Sequence, residues 1–562
     1  MPTFRALFKS FYSLHRKTFT NSSTHASIAA ARVKNRGVGP DRRHFKEPPS
    51  HDVYLSTKMI SSHVENYRLA DALHLFDETS EKDTVMWNLM IKGCVTCGNL
   101  DMGLRLFNEM PEKNVISWTT VINAFLKYGM IEEAKGLFRK MPVRDTASWN
   151  AMVHGFFVNR RVEEAIKLFE EMPDRNVISW TTMISGLDQH GRSDEALSYF
   201  VKMVGFGVKP TSNTFSCAIT SCANVQDLYL GRQVHGHVLK LGYVSDMFIT
   251  ASLITFYANC KQIEECAKAF NEKFHPNVVV WTSLLTGYGA NGKHENALGV
   301  FSNMIRVGII PNQSSFTSAL NSSREIEAFD WGKGIHCGAF KMGLENDVFV
   351  GNSLVVLYTK CGNILDGVAA FKEISDKNLV SWNSIIVGCS QHGQGEWALA
   401  FFTQMAKTGL NPDEITFTGL LNSCSHSGKF RKGRQIFECL TRYSKVEVKI
   451  EHYACMVDIL CRSGELDEAE RLVKEMPMEA NLSVWLALLS GCRGPQADLE
   501  IAERAAKRIF CIDPKCGAAY VLMSNIYASA GKWNEVARIR RKMKEVGTVK
   551  QPGYSEAFVC FG

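Results

Sequence analysis

The sequence predicts an all-α protein, an α-solenoid of helix–turn–helix repeats, and three observations carry that reading. Tryptophan recurs at Trp87, Trp118, Trp149 and Trp180 in steps of 31 residues, then at Trp281 and Trp382, each 101 residues on. An apolar triad keeps the same frame as Ala165, Phe169, Met172, then Ala196, Phe200, Met203, Ala297, Phe301, Met304 and Ala398, Phe402, Met405. Gly231, Gly332 and Gly433 hold the 101-residue interval as a third marker. Self-similarity at this period means units that stack and touch only their neighbours.

Residues 115–145 show what one unit contains. Trp118, Val121, Ile122, Phe125 and Leu126 step by three and four, so they share one helical face. Gly129 ends that helix, because glycine enters a left-handed cap without a Cβ clash. Ala134, Leu137, Phe138 and Met141 make the face of a second helix, and Pro142 stops it. Helices this short are marginal alone and need neighbours to cover them.

Taken in order, residues 1–50 hold ten Lys/Arg against two acids, with Phe4, Leu7, Phe8 and Phe11 able to line one face. That composition reads as an organelle transit peptide, mitochondrial before plastid; the alternative is a disordered basic arm. A degenerate first repeat, 53–83, is expected where one face meets solvent. Short repeats follow at 84–114, 115–145 and 146–176, then units at 177–211, 212–246 and 247–277. The triplet returns at 278–312, 313–347 and 348–378, where Phe316 and Gly351 take the tryptophan's place. It restarts with 379–413, a long unit at about 414–448 and a unit ending at Asn481, thirteen repeats in all. From Leu482 the character changes, but two more helix pairs fit, with Asp513-Pro514 at the turn between them.

Beyond residue 50 the chain carries 54 basic and 55 acidic groups, so its body is no polybasic clamp, and any RNA must be selected by placed side chains. The odd count of 17 scattered cysteines argues for free thiols in a reducing compartment. No apolar run is long enough for a membrane span.

Units of 31 and 35 residues headed by S-W-[TN] resemble pentatricopeptide repeats, and the 35, 35, 31 alternation resembles their long-and-short variety of land-plant organelles. The resemblance covers 53–481; residues 482–562 resemble the E region, two degenerate tetratricopeptide-like motifs found in organelle RNA-editing factors. It implies a right-handed solenoid superhelix that binds single-stranded organellar RNA and reads one base per repeat. The first residue of helix one and the last residue of the repeat are expected to point into the groove. The pairs are Asn88 with Asn114, Thr119 with Asp145, Asn150 with Asn176, Thr181 with Thr211, Thr282 with Asn312, Asn352 with Asn378, and Asn383 with Asp413. Asp accepts from the imino N–H of G or U; an Asn amide can donate to the ring nitrogen of A or C. That Thr favours purines and Asn pyrimidines is implied by the resemblance alone. The repeats then spell G, pyrimidine, G, pyrimidine, purine, two unread, A, unread, pyrimidine, U, two unread. Val85, Ile116, Ile178, Val279 and Val380 would sandwich the bases. The competing structural role for these Asn and Thr residues is helix capping and turn formation.

The E region implies a factor that selects sites for C-to-U editing and leaves the chemistry to a DYW-type deaminase in trans. Pro552, Gly553 and Ser555 are followed by Glu556, not the family's tryptophan, and Gly562 leaves no room for a deaminase domain. Alternatives are RNA processing, stability or translation, or a protein-binding scaffold. No catalytic residue, metal or cofactor is expected. His63-Val64-Glu65 with Cys94 and Cys97 imitates a zinc-deaminase signature but lacks the proline before the first cysteine. His235 and His336, one triplet apart, read as polar contacts between helices. The basic run Arg538, Arg540, Arg541, Lys542 and Lys544 reads equally as an RNA or partner contact and as a solvated helix end.

Overall fold

A computed structural model describes residues 53–271, 276–442, 446–492 and 498–547. The transit peptide expected at residues 1–50 and the residues after Gly547 lie outside them. The described chain is all helical, built from antiparallel helix pairs. It divides into two compact units, one ending at Pro311 and one starting at Asn312. Within each, successive pairs pack side by side around a continuous apolar core, such as the run from Ile60 to Leu284 in the first unit.

The helices start where the sequence repeats start. Helix one of 115–145 is Val115–Lys127 and helix two is Ile131–Lys140. The last residue of each repeat is the N-cap of the next repeat's first helix. Asn114 Oδ1 accepts from Ser117 N at 2.9 Å, and Asp145 Oδ1 from Ser148 N at 2.8 Å. Each such cap stabilises its helix by about 1 kcal/mol. Gly129, at φ +74°, closes helix one as expected. One boundary needs correction. Lys449 precedes the helix Ile450–Arg462, so the long repeat from Glu414 runs one residue further than 448.

The two repeat lengths differ in helix two. It spans ten residues in short repeats, as in Val162–Glu171, and thirteen in long ones, as in Ser193–Gly205 and Leu228–Lys240. The additional turn ends in Gly207 at φ +73° or Gly242 at φ +77°, and accounts for the longer period.

The tryptophans pack edge-on against the phenylalanine of the preceding helix two. Phe138–Trp149 and Phe169–Trp180 have centroids 5.0 and 5.1 Å apart. A cation lies over the same ring, Arg144 on Phe138 and Arg175 on Phe169. Arg144 also donates to the carbonyls of Phe138 and Arg139, both at 2.8 Å, so it caps the end of helix two. Lys82, Lys113 and Lys377 do the same at their repeats. The basic residue before the cap is therefore a structural part of short repeats, a role the sequence reading did not foresee.

The glycine markers are points of close approach. A Cβ on Gly231 would lie 2.1 Å from the Phe256 ring, on Gly332 2.4 Å from Leu357, and on Gly433 2.6 Å from Ile459. Phe256 is fully buried and cannot swing away. Gly231→Val is expected to destabilise the first unit by about 1–3 kcal/mol through overpacking. Comparable melting of Gly231→Val and Gly236→Val, where a Cβ meets open space, would refute that assignment.

His235 and His336 make the helix contacts expected of them. Each Nδ1 lies 2.7 Å from a tyrosine hydroxyl, Tyr257 and Tyr358 respectively. Burial holds the His336 pKa below the usual imidazole value, against the opposing pull of Glu373 and Asp366. A lowered folded pKa means that the unfolded chain binds the proton more readily. Stability is thus complete above about pH 6.5 and declines as pH falls below it towards the folded pKa. The expected result is a lower melting temperature at pH 5.5 than at 7.5, with a smaller difference in His336→Gln. An equal difference in both proteins would exclude His336 as the source.

Candidate nucleic-acid interface

One corner of the first unit defines the face. An open groove of about 900 Å³ is lined by residues including Ile178, Thr181, Ser185, Thr211, Ser216 and Phe248. These are the second, fifth and ninth residues of first helices, with the caps between them.

Helical register corrects one sequence expectation. The Asn or Thr of each pair is the fifth residue of helix one, not the first: Asn88 lies in Thr84–Thr96 and Asn383 in Leu379–Gln391. That is one turn along, on the same face as the cap. Asn88 Nδ2 donates to Asn114 Oδ1 at 3.2 Å. Asn383 Nδ2 donates to Asp413 Oδ1 at 2.9 Å and lies 3.1 Å from Oδ2. Thr181 and Thr211 meet through the Thr214 hydroxyl, at 2.7 and 3.0 Å.

Thr119, like Thr181 and Thr282, turns its hydroxyl back to the carbonyl four residues before it, at 2.7 Å. Asp145, Asn176, Asn312 and Asn378 are all caps. No direct bond joins Thr119 to Asp145, Asn150 to Asn176 or Asn352 to Asn378, although each pair holds the register of the bonded ones. Thr282 lies in the first unit and Asn312 in the second. The Oδ1 atoms of Asn88, Asn150 and Asn352 are buried without a hydrogen-bond partner in the protein. Such orphaned acceptors are rare inside folded chains.

The caps orient their own side chains. In Asn114, Asn176 and Asn378 the Oδ1 takes the backbone amide and a serine hydroxyl, which leaves the NH₂ as the outward group. Burial pushes the Asp413 carboxyl up. The Thr416 amide and hydroxyl and the Asn383 amide outweigh it, so the net pKa falls below the ordinary value. Asp413 is therefore an anion and an acceptor at neutral pH.

Not every cap is alike. Asp246 and Asp347 have ψ of 124° and 130°, against 170–180° at Asp145 and Asn176. Their Oδ1 atoms each bond two amides, and Asp246 Oδ2 accepts from the Ser212 hydroxyl at 2.5 Å. The second residues are exposed apolar side chains: Val85, Ile116, Ile178, Val279 and Val380 range from 42 to 62% exposed. Tyr54, Phe248, Phe349 and Ile415 share that place and exposure, and the sequence reading passed over them. Thr57 and Asp83 of the degenerate first repeat also stand in register, Thr57 at the fifth position and Asp83 as a cap.

In the zinc-like cluster Cys94 belongs to the core, while Glu65 is exposed. Cys94 is buried, and burial, with Cys97 adding, pushes its thiol pKa up to about 11. Among the described residues no group of three or more His, Cys, Asp or Glu is placed to hold a metal ion, and no helix is long and apolar enough to cross a membrane. The basic run is partly framework: Arg540 donates to Ser524 Oγ at 2.9 Å, Arg538 pairs with Glu535, and Lys542 lies over Phe510.

A chain of helix pairs at these two lengths, with capped first helices and one polar face, is a helical-repeat protein. Models of the PPR repeat match residues 85–115, 116–145, 415–444 and 450–477, and that of the PPR repeat family matches 144–178, 175–224, 276–323 and 377–426. Together they cover about half of the chain, which belongs to the pentatricopeptide repeat family. The E motif matches 496–557. Among curated relatives, a pentatricopeptide repeat-containing mitochondrial protein of Arabidopsis thaliana is 54% identical over 62% of this chain and 50% of its own length. A chloroplastic one from the same plant is 37% identical over 63% and 48%. The chain thus spans about half the length of these relatives. Among solved structures, the pentatricopeptide repeat protein PPR10 from maize aligns with a TM-score of 0.54 and 18% identity, over 97% of this chain and 90% of that one. PPR10 in complex with an 18-nt psaJ RNA element also aligns at 0.54, with 19% identity, over 89% and 86%.

Proposed function

We propose that this protein binds single-stranded organellar RNA in a sequence-specific manner and selects sites for C-to-U editing. The observation that carries the RNA reading is the meeting of fifth and last residues on one face, flanked by exposed apolar side chains. Caps fix which end of each Asn or Asp faces outward. An outward NH₂ suits the ring-nitrogen acceptor of A or C; a carboxylate with lone pairs to spare suits the imino N–H of G or U. The base would lie between successive second-position residues, in the one-base-per-repeat manner of such solenoids. The complex of PPR10 with RNA supports the ligand class.

The editing role rests on the E motif at 496–557, which would recruit a DYW-type deaminase or other editing factors in trans. The mitochondrion is the preferred compartment, with the chloroplast second, from the basic composition of residues 1–50 and the naming of the mitochondrial relative. Two experiments test this reading. Purified full-length chain should enrich one RNA sequence from a randomised pool; no enrichment would refute sequence-specific binding. Organelle transcripts of a plant lacking the protein should lose editing at particular sites, and a version cut after Asn481 should bind RNA yet fail to restore them. Restoration by the cut version would remove the recruiting role.

A further inference from the structure

The groove shows which positions of each first helix face it. His154, Val158 and Arg160 line it from one repeat, and Thr182, Ser185 and Gln189 from the next. These are the sixth, ninth, thirteenth and fifteenth places counted from the helix start. Carried along the first unit by register, those four places hold five cations: Lys58, Lys92, Lys127, Arg160 and Lys261. All five are exposed. None forms an ion pair among the described residues, and one acid, Glu65, shares these places.

The second unit is different at the same four places. It holds two cations, each tied to a carboxylate of the same face. Lys360 Nζ lies 3.2 Å from Glu325 Oε2, and Arg462 Nε 2.9 Å from Asp458 Oδ2. Asp458 also accepts the Ser425 hydroxyl. Glu327 adds a further acid. Each unit's face therefore has its own charge, cationic in the first and, with both cations paired to carboxylates, net acidic in the second. Six other cations of the first unit are engaged elsewhere. Lys82, Lys113, Arg144 and Arg175 bind helix-end carbonyls, and Lys135 and Arg192 bridge glutamates of adjacent second helices.

We infer that Lys58, Lys92, Lys127, Arg160 and Lys261 form the site that takes the phosphodiester backbone of the bound RNA, so that electrostatic anchoring resides in the first unit alone. The inference rests on the RNA-binding reading above. Phosphate contacts made by exposed cations release counterions, whereas a cation already paired to a carboxylate gains little from a phosphate. The second unit then contributes base contacts that depend weakly on salt.

The test uses the full chain and two unstructured probes, an oligouridine and an oligoadenine of equal length, titrated over a series of salt concentrations. Lys92→Gln, Lys127→Gln and Arg160→Gln together should flatten the plot of log affinity against log salt by about 0.7 for each residue changed. The loss should be the same for both probes. Lys360→Gln with Arg462→Gln should leave the slope unchanged. All five positions are exposed, and unchanged melting temperatures will show that the variants fold. An unaltered slope in the first-unit variant, or an equal flattening in the second-unit variant, overturns the inference and leaves RNA binding standing. Failure of the unmodified chain to bind either probe or any pool sequence overturns both.

Discussion

Trp180→Ala is expected to destabilise the first unit by about 3–5 kcal/mol, the cost of emptying a buried indole site. Trp180 is 3% exposed, edge-on to Phe169, and its ring centroid lies 6.3 Å from Tyr199 and 5.7 Å from Phe206. Phe169 and Tyr199 are buried and cannot fill the space without leaving their own partners. In a stack where each repeat touches its neighbours only, the damage should be local before it is global. Amide exchange should accelerate first in residues 146–211, and the melting temperature should fall. Trp149 makes the same contact with Phe138 but is only half-buried, so Trp149→Ala should cost less. Equal losses for the two would show that burial does not set the tryptophan's contribution.

Asn383→Thr is expected to shift the nucleotide preferred by repeat 379–413 from U towards G and to leave the other positions alone. Asn383 is 6% exposed, its Oδ1 accepts from the Thr416 hydroxyl at 2.6 Å, and its NH₂ spans the Asp413 carboxylate. Threonine at this place turns its hydroxyl back to the helix, as Thr119 does, and frees Asp413 from the amide. The acceptor stays, so the imino N–H of G or U is still required; the room beside it changes. By analogy with base discrimination on DNA, the wrong base should cost on the order of 1–3 kcal/mol. Affinities for RNAs differing only at that nucleotide are the measurement. Identical affinity for all four bases before and after substitution would take Asn383 off the reading surface.

Periodicity made the fold legible because a repeat of this size must bury its faces on its copies. Trp180, Phe169 and Ala196 were readable as core from spacing alone, and the structure buries all three. Gly129 was readable as a helix stop because no other residue takes φ above +70° so cheaply. Asn114 and Asp145 were identified in register, and the seven pairs follow from them. The position of the partner residue was misjudged, because a repeat boundary does not reveal that the helix already begins at its first residue.

Other features were decided by the tertiary structure. Arg144, Arg175, Lys92 and Lys127 are equivalent letters in the sequence. Two of them reach helix-end carbonyls and two stand exposed, because only the fold brings the end of helix two beside the residue before the cap. Asp145 and Asp246 are likewise the same residue at the same place in the repeat. The chain enters Asp246 with ψ near 124°, and the carboxylate closes on two amides and Ser212. Spacing states which residues recur. Which atoms remain unspent depends on where neighbouring helices end, and only the packed chain sets that.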